Sequence, residues 1–293
     1  MKVLVTGGAG FIGSHLADKL VENGKEVVVL DDLSAGKKKN VNKKVDFFKG
    51  DICDSKDVNS AVAGVDTVYH LAGLVSVPLS EKYPIKSLAI NTGATYILLR
   101  ASQKNNVKNF VYFSTAAVYG DSKGLVINEN SEKKPINLYG YEKLWSENCC
   151  SRFSKLNISI VRPFNVYGPR QDPANPYSGV ISKFISNAVH GRDLVVFGDG
   201  KQTRDFIYVD DVVDAAILVS GRPGVYNVGT GKSVTIKGLA DIVLELTKSK
   251  SKITYAEKRQ GDILYSEADI SKVRGLGFEP KYSLRQGLLK MLK

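Results

Sequence analysis

A chain of 293 residues, 43% hydrophobic and 24% charged, fits one large globular domain or two closely joined ones and excludes a disordered or collagen-like polymer. Its 41 Lys+Arg against 30 Asp+Glu leave a net charge of +11, which favours anionic partners such as nucleotides, nucleic acid or acidic lipid without choosing among them. Most of that excess is lysine and reads as a solvated face. Three cysteines, Cys53, Cys149 and Cys150, offer neither a disulfide framework nor zinc-ligand spacing, so no metal is expected and a reducing, cytoplasmic setting is. No apolar run reaches membrane-spanning length, and no membrane partner is expected.

In chain order, the apolar run Val3 to Val5 predicts a strand, TGGAGFIG a glycine turn, and SHLADKLVENG a helix that closes at Asn23 and Gly24. Further strands are predicted at Val27 to Leu30, Val45 to Asp51, Asp66 to Gly73, Phe110 to Thr115 and Ile158 to Pro163. Continuous apolar strands with helix-sized spacers predict a parallel sheet covered on both faces, a doubly wound α/β fold. Beyond Pro163 the regularity breaks at NVYGPRQDPANPYSG, which reads as an ordered functional loop. A smaller region follows. It holds the helix SKFISNAVHG, the strand LVVFG, the strand FIYV leading into the helix start DDVVDAA, the strand VYNVG and two terminal helices. The division expected is 1–164 for a dinucleotide-binding domain and 165–293 for a substrate-binding region, with 205–230 returning to the first. No linker separates the halves, so a cleft between them is expected.

Gly8, Gly10 and Gly13 satisfy G-x-G-x-x-G, and Gly7 adds G-x-x-G-x-x-G, between a predicted strand and a predicted helix. Glycines there let the chain turn tightly and let a pyrophosphate approach the N–H groups of the helix N-terminus. Asp31 follows at the end of the second strand, where a carboxylate accepts from both ribose hydroxyls and repels the extra phosphate of NADP. NAD is therefore favoured over NADP, and Lys37, Lys38 and Lys39 just beyond read as a solvated run. Tyr139 and Lys143 are four apart at the start of a predicted helix, on one face, so that the ammonium can stabilise a phenolate. A second pair at the same spacing, Tyr119 and Lys123, lies at a predicted strand end followed by glycine, where helical spacing does not apply. Thr115 closes the predicted fifth strand at the carboxyl edge of the sheet, beside Tyr139, where its hydroxyl can polarise a substrate oxygen.

TGGAGFIGSH, Asp31-Asp32, GDICD, HLAG, STAAVYG, YGYEK, FNVYGPRQDP, TRDFIYVDD, YNVGTG and RQGD occur in that order along the whole chain. On these motifs the chain resembles the extended short-chain dehydrogenase/reductases of Rossmann fold, and within them the UDP-glucose 4-epimerases, including the type that also takes N-acetylated hexosamines. The resemblance implies Tyr139 as catalytic base, Lys143 as its electrostatic partner and nicotinamide-ribose ligand, and Thr115 as the assisting hydroxyl. It implies cofactor contacts from Gly7, Gly10, Phe11, Ile12, Gly13, Asp31, Asp32, Ser34, Asp51, Ile52, Leu71, Ala72 and Asn91. For the UDP-sugar it implies Asn165 near the diphosphate, Val195 and Phe197 around the base, Arg204 and Arg259 on phosphate, Asp262 on ribose, and Ser266 at the sugar.

Two features depart from related patterns. Dehydratases and decarboxylases of similar sequence carry an acidic residue between the serine/threonine and VYG, where this chain has Ala116 and Ala117. Asp32 stands where the epimerases commonly have Asn. The activity the resemblance implies is reversible inversion at C4 of a UDP-hexose through a transient 4-keto sugar, with NAD tightly bound and recycled, by a homodimer formed through the helix at Tyr139 and the one spanning Ile85 to Ser102. The rival readings are another sugar-nucleotide reductase or epimerase, and a non-catalytic NAD-binding or nucleic-acid-binding protein. The latter lacks the aromatic-interleaved basic motif of a single-strand binder, so no nucleic-acid partner is expected.

Overall fold

The computed structural model describes residues 1–171, 179–258 and 263–292. The first half alternates strand and helix: β1 (Lys2–Thr6), α1 (Phe11–Glu22), β2 (Glu26–Asp31), β3 (Asp46–Lys49), α2 (Ser55–Val62) and β4 (Thr67–His70). Three helices follow, α3 (Val77–Lys82), α4 (Pro84–Leu88) and α5 (Ala94–Lys104), the last two joined by a π-helical turn at Ala89–Gly93. Then come β5 (Asn109–Phe113), α6 (Leu138–Cys150) and β6 (Asn157–Pro163). The rest contains β7 (Asn165–Tyr167), α7 (Val180–Val189), β8 (Leu194–Phe197), β9 (Thr203–Tyr208), α8 (Val209–Val219), β10 (Gly224–Val228) and β11 (Ser233–Thr235). It ends with α9 (Ile236–Thr247), β12 (Ile253–Ala256), α10 (Ser271–Arg274) and α11 (Leu284–Met291).

One seven-stranded sheet runs β3-β2-β1-β4-β5-β6-β10, every neighbour parallel. Side chains alternate across it as the strand period requires. Val3, Val5, Val27, Val29, Val111 and Phe113 pack on the face covered by α1 and α8. Leu4, Val28, Leu30, Phe110 and Tyr112 pack on the face covered by α2, α5 and α6. The strand order reverses between β1 and β4, the switch point at whose carboxyl ends a crevice opens in such sheets. The doubly wound α/β class read from the sequence is the observed one.

Boundaries moved. The fourth strand stops at His70 rather than reaching Gly73, because the Thr6 hydroxyl accepts from the N–H groups of both Leu71 and Ala72, at 3.2 Å each, and turns the chain. The fifth stops at Phe113, and Ala116–Val118 forms a 3₁₀ turn capped by the Thr115 hydroxyl. Asn165–Tyr167, read as loop, is a short strand that pairs in parallel with β9, and β9 in turn pairs antiparallel with β11. β12, also unforeseen, pairs with β8. These two small sheets, with α7, α9 and α11, share a third apolar cluster around Tyr167, Phe184, Leu194 and Leu239.

At the switch point the glycine turn is set by sterics. Gly7 has φ +71°, and a Cβ on Gly13 would lie 2.2 Å from the Gly7 carbonyl oxygen, closer than any atom can. Gly24, φ +69°, closes α1 in open space. Gly13→Ala is therefore expected to destabilise the fold by about 3 kcal/mol or more through a displaced backbone, whereas Gly24→Ala carries only left-handed strain of about 1 kcal/mol. Denaturant midpoints of the two variants check this order.

Candidate active site

The site is assembled at the carboxyl ends of β1, β2, β4 and β5. Asp31, last residue of β2, is buried; its Oδ2 accepts from the Ala9 N–H at 2.9 Å and its Oδ1 from the Leu33 N–H at 2.8 Å. Burial raises its carboxyl above the usual range, and those two N–H bonds draw it back. Each oxygen keeps a further lone pair for a ligand hydroxyl. Asp32 is turned on its own loop, accepting from the Ser34 N–H and hydroxyl at 2.8 and 2.6 Å. That loop lies on the glycine turn, with the Lys37 N–H donating to the Ala9 carbonyl at 3.0 Å. Lys37, Lys38 and Lys39 are exposed, and Lys38 sits over the Phe47 ring.

Asp51 is exposed and caps its own turn through the Cys53 N–H, while Ile52 beside it is buried. Below Leu71 and Ala72 lies buried His70. The Thr6 oxygen already accepts two N–H groups, so its proton goes to His70 Nδ1 at 2.8 Å; Nε2–H then donates to the Thr95 hydroxyl at 2.9 Å, and Thr95 to the Asn91 carbonyl at 2.7 Å. Burial holds His70 down to about 3, so it stays neutral in this chain. Asn91 is fixed by its side chain as well: Oδ1 accepts from the Leu74 N–H at 2.8 Å, and Nδ2 donates to Glu142 Oε2 at 2.6 Å.

α6 begins at an Asn137 cap, whose side chain accepts from the Gly140 N–H at 2.9 Å. Tyr139 and Lys143 come next on one face, both buried. Burial pushes the Tyr139 phenol well above its ordinary value, a hydrogen bond with Thr115 pulls it part of the way back, and Glu142 raises it again. Lys143 Nζ donates to the Phe113 carbonyl at 2.9 Å and lies 6.0 Å from the centre of the Tyr139 ring. Burial lowers its ammonium to about 8, with Glu147 and Glu142 opposing that shift and favouring the charged form. The pocket thus sets a phenol beside an ammonium.

A cavity of about 140 Å³ opens next to Thr115. Four of the residues expected on the substrate, Thr115, Asn165, Arg204 and Ser266, line it together with Ala116 and Ala117. Val195 and Phe197, on β8, are not in that lining, and Arg259 and Asp262 lie outside the described residues. The larger, shallow hollow of about 490 Å³ between α7 and α9 shares no residue with this site.

Several supporting residues went unread in the sequence. Buried Asp205 accepts from Thr230 N–H and hydroxyl, Gly231 N–H and Ala268 N–H at 2.8, 2.6, 3.0 and 3.2 Å, holding two loops beside Arg204. Glu147 pairs with Arg162, both buried. A lone arginine in the mostly apolar strand ISIVRP, and a glutamate one turn after Lys143, were the available signals. Among the described residues no cluster of potential metal ligands occurs, and no helix is long and apolar enough to cross a membrane.

Residues 3–229 match the NAD dependent epimerase/dehydratase family. The chain is 36% identical over 297 residues, 99% of its length and 97% of the relative's, to a putative UDP-glucose 4-epimerase of Methanocaldococcus jannaschii. It is 34% identical to the dTDP-D-glucose 4,6-dehydratase of Bos taurus, over 100% of this chain and 88% of that one. Among solved structures, the UDP-glucose 4-epimerase of Thermotoga maritima with UDP-glucose superposes with TM-score 0.96 at 37% identity, covering 100% of this chain and 97% of that one. The UDP-N-acetylglucosamine 4-epimerase of Methanobrevibacter ruminantium, in complex with UDP-N-acetylmuramic acid, superposes with TM-score 0.95 at 37% identity, covering 99% and 96%. The glycine cradle that a Cβ would fill and the paired oxygens of Asp31 fit a dinucleotide with an unmodified ribose. The chain belongs to the NAD-dependent epimerase/dehydratase family, and NAD is its cofactor.

Proposed function

We propose that this enzyme is an isomerase that interconverts UDP-hexoses epimeric at C4, plain and N-acetylated, through a transient 4-keto sugar. The observation that carries the reading is a cavity with Thr115 at one side and the methyl groups of Ala116 and Ala117 where an acid would stand, and no carboxylate among its described lining residues. Elimination of water or loss of carboxylate from a sugar needs an acid or base beyond Tyr139. Inversion needs one base alone.

The glycine turn and the start of α1 would hold the pyrophosphate, Asp31 the adenosine ribose, and Lys143 the nicotinamide ribose. NAD, when bound, supplies a hydride acceptor that can return what it takes, so no net redox change is required. Tyr139 takes the proton of the sugar 4-hydroxyl and gives it back to the inverted alkoxide. Thr115 donates to the phenolic oxygen or to the sugar oxygen, steadying whichever is charged. Lys143 lowers the barrier to losing the phenolic proton by placing a positive charge on the same helix face. Asn165 and Arg204 suit the diphosphate, Arg204 by bidentate charge-assisted bonds. We assign Arg259 and Asp262 to the same ligand, and Val195 and Phe197 to its base.

We further propose a homodimer through α6 and the α4–α5 face, where Ile85, Tyr96, Tyr141 and Trp145 expose 78, 40, 58 and 49% of their surfaces. The free thiols of Cys53, Cys149 and Cys150 suit a reducing, cytoplasmic setting. The layers suggest the division of labour: the seven-stranded part, residues 1–164 with 205–230, for NAD, and the remainder for substrate.

Purified protein given UDP-galactose without added cofactor is expected to form UDP-glucose with no rise in NADH absorbance. Tyr139→Phe is expected to lower turnover by about 10³-fold with NAD still bound. Conversion dependent on added NADPH, or a Tyr139→Phe variant of near-normal rate, would overturn the reading.

Substrate width follows from Ser266, a buried residue at the cavity wall. Serine leaves room for a 2-acetamido group and offers it a hydroxyl, whereas tyrosine would fill that space. Ser266→Tyr is expected to reduce kcat/KM for UDP-N-acetylgalactosamine by about 100-fold or more while changing that for UDP-galactose by less than about threefold. The ratio of the two rates, measured side by side, checks it.

A further inference from the structure

Tyr119 is a further buried tyrosine near the site, and Lys123, four residues on, is no partner for it: that lysine lies in an exposed turn at φ +53°. Its hydroxyl is instead held at both ends inside the protein. Arg162 Nη1 donates to it at 2.7 Å, and since a guanidinium only donates, the single phenolic proton goes to Asn227 Oδ1, also at 2.7 Å. Asn227 is fully buried; its Nδ2 donates to the Ile127 carbonyl at 2.9 Å. Ile127 is bridged to the segment that follows Ser266: its N–H donates to the Glu267 carbonyl at 2.9 Å, and its carbonyl accepts from the Asp269 N–H at 2.8 Å. Ile127 and Ser266 both line the cavity.

In the other direction Arg162 forks onto Glu147, Nε to Oε1 at 2.9 Å and Nη2 to Oε2 at 2.5 Å. Glu147 Oε1 also accepts the hydroxyl of Ser114, the residue before Thr115. Glu147 stands one turn after Lys143 on α6. One hydroxyl group therefore joins the strand edge that carries Thr115 to the wall that carries Ser266.

We infer that Tyr119 is a positioning residue that sets the Ile127 and Ser266 wall of the cavity against the Thr115 and Tyr139 side. That its wall meets the sugar rests on the epimerase reading; the relay itself does not. Removing the hydroxyl leaves the ion pair intact, because Arg162 Nη1 retains the Glu129 carbonyl at 3.2 Å. What is lost is the only proton that, among the described residues, reaches Asn227 Oδ1, and a buried carboxamide left half-paired no longer holds Ile127 in place.

The test is Tyr119→Phe, read by amide hydrogen exchange and by steady-state kinetics on UDP-galactose. Exchange at the Ile127 and Asp269 amides is expected to quicken about tenfold or more, with the amides of β1 and β4 unchanged. KM is expected to rise about fivefold or more with kcat within about twofold of the parent, the mark of lost binding geometry rather than lost chemistry. Tyr226→Phe, which removes a hydroxyl bonded to the Arg222 carbonyl at 3.1 Å, is expected to change neither readout. Asn227→Ala breaks the relay one bond further on and is expected to reproduce the pattern should Tyr119→Phe not fold. Unchanged exchange at both amides overturns the relay. Quickened exchange with unchanged KM, or a fall in kcat as large as that of Tyr139→Phe, overturns the positioning role. Hydrogen exchange needs no substrate, so a protein that fails to epimerise still decides whether the relay exists.

Discussion

The charge on Lys143 is taken almost completely out of water, and much of the surrounding structure answers to that constraint. An isolated buried ammonium loses its proton. Here the Phe113 carbonyl accepts directly from Nζ, and Glu147 and Glu142 on the same helix oppose the loss. Glu147 in turn needs a partner in the interior, which Arg162 provides from near the carboxyl end of β6. Arg162 then needs acceptors for its remaining protons and finds Tyr119 and the Glu129 carbonyl. The polar chain that begins with one lysine ends at the wall of the cavity beside Thr115.

The same logic explains the cofactor side. The turn from β4 is held by hydroxyl and imidazole groups that all point their protons one way, from the N–H groups of Leu71 and Ala72 through Thr6, His70 and Thr95 to the Asn91 carbonyl. Every buried donor in that chain has an acceptor, so the backbone around the switch point is held by its own hydrogen bonds. Asn91 then ties this chain to Glu142, and through it to the helix of Tyr139 and Lys143. Glu142 Oε1 is left without a partner among the described residues, and its partly satisfied carboxylate raises the phenol of Tyr139.

What was legible in the sequence is what local physics decides. The strand periods of Val3–Val5 and Val27–Leu30, the glycine turn and the Asp31 position are short-range patterns, and a doubly wound parallel sheet follows from them, though not its seven-strand order. Tyr139 and Lys143 were legible because helical spacing places them on one face. Strand ends were not, since the stop at His70 depends on Thr6, 64 residues away. The pairing of Arg162 with Glu147, and of Asp205 with the loops at Thr230 and Ala268, joins residues whose partners no periodicity reveals. The cavity showed that Thr115, Asn165, Arg204 and Ser266 meet, which spacing alone could not.

We propose that burial keeps Tyr139 a phenol and that it becomes a base only when positive charge gathers beside it. The most direct measurement is the titration of Tyr139 followed by NMR of ring-labelled tyrosine in the NAD-free and NAD-loaded protein, with Tyr139→Phe assigning the signal. The expected result is a resonance that stays protonated beyond pH 10 without NAD and titrates at least about two pH units lower with it. The same titration in both states, or a phenolate at neutral pH without NAD, would contradict the claim.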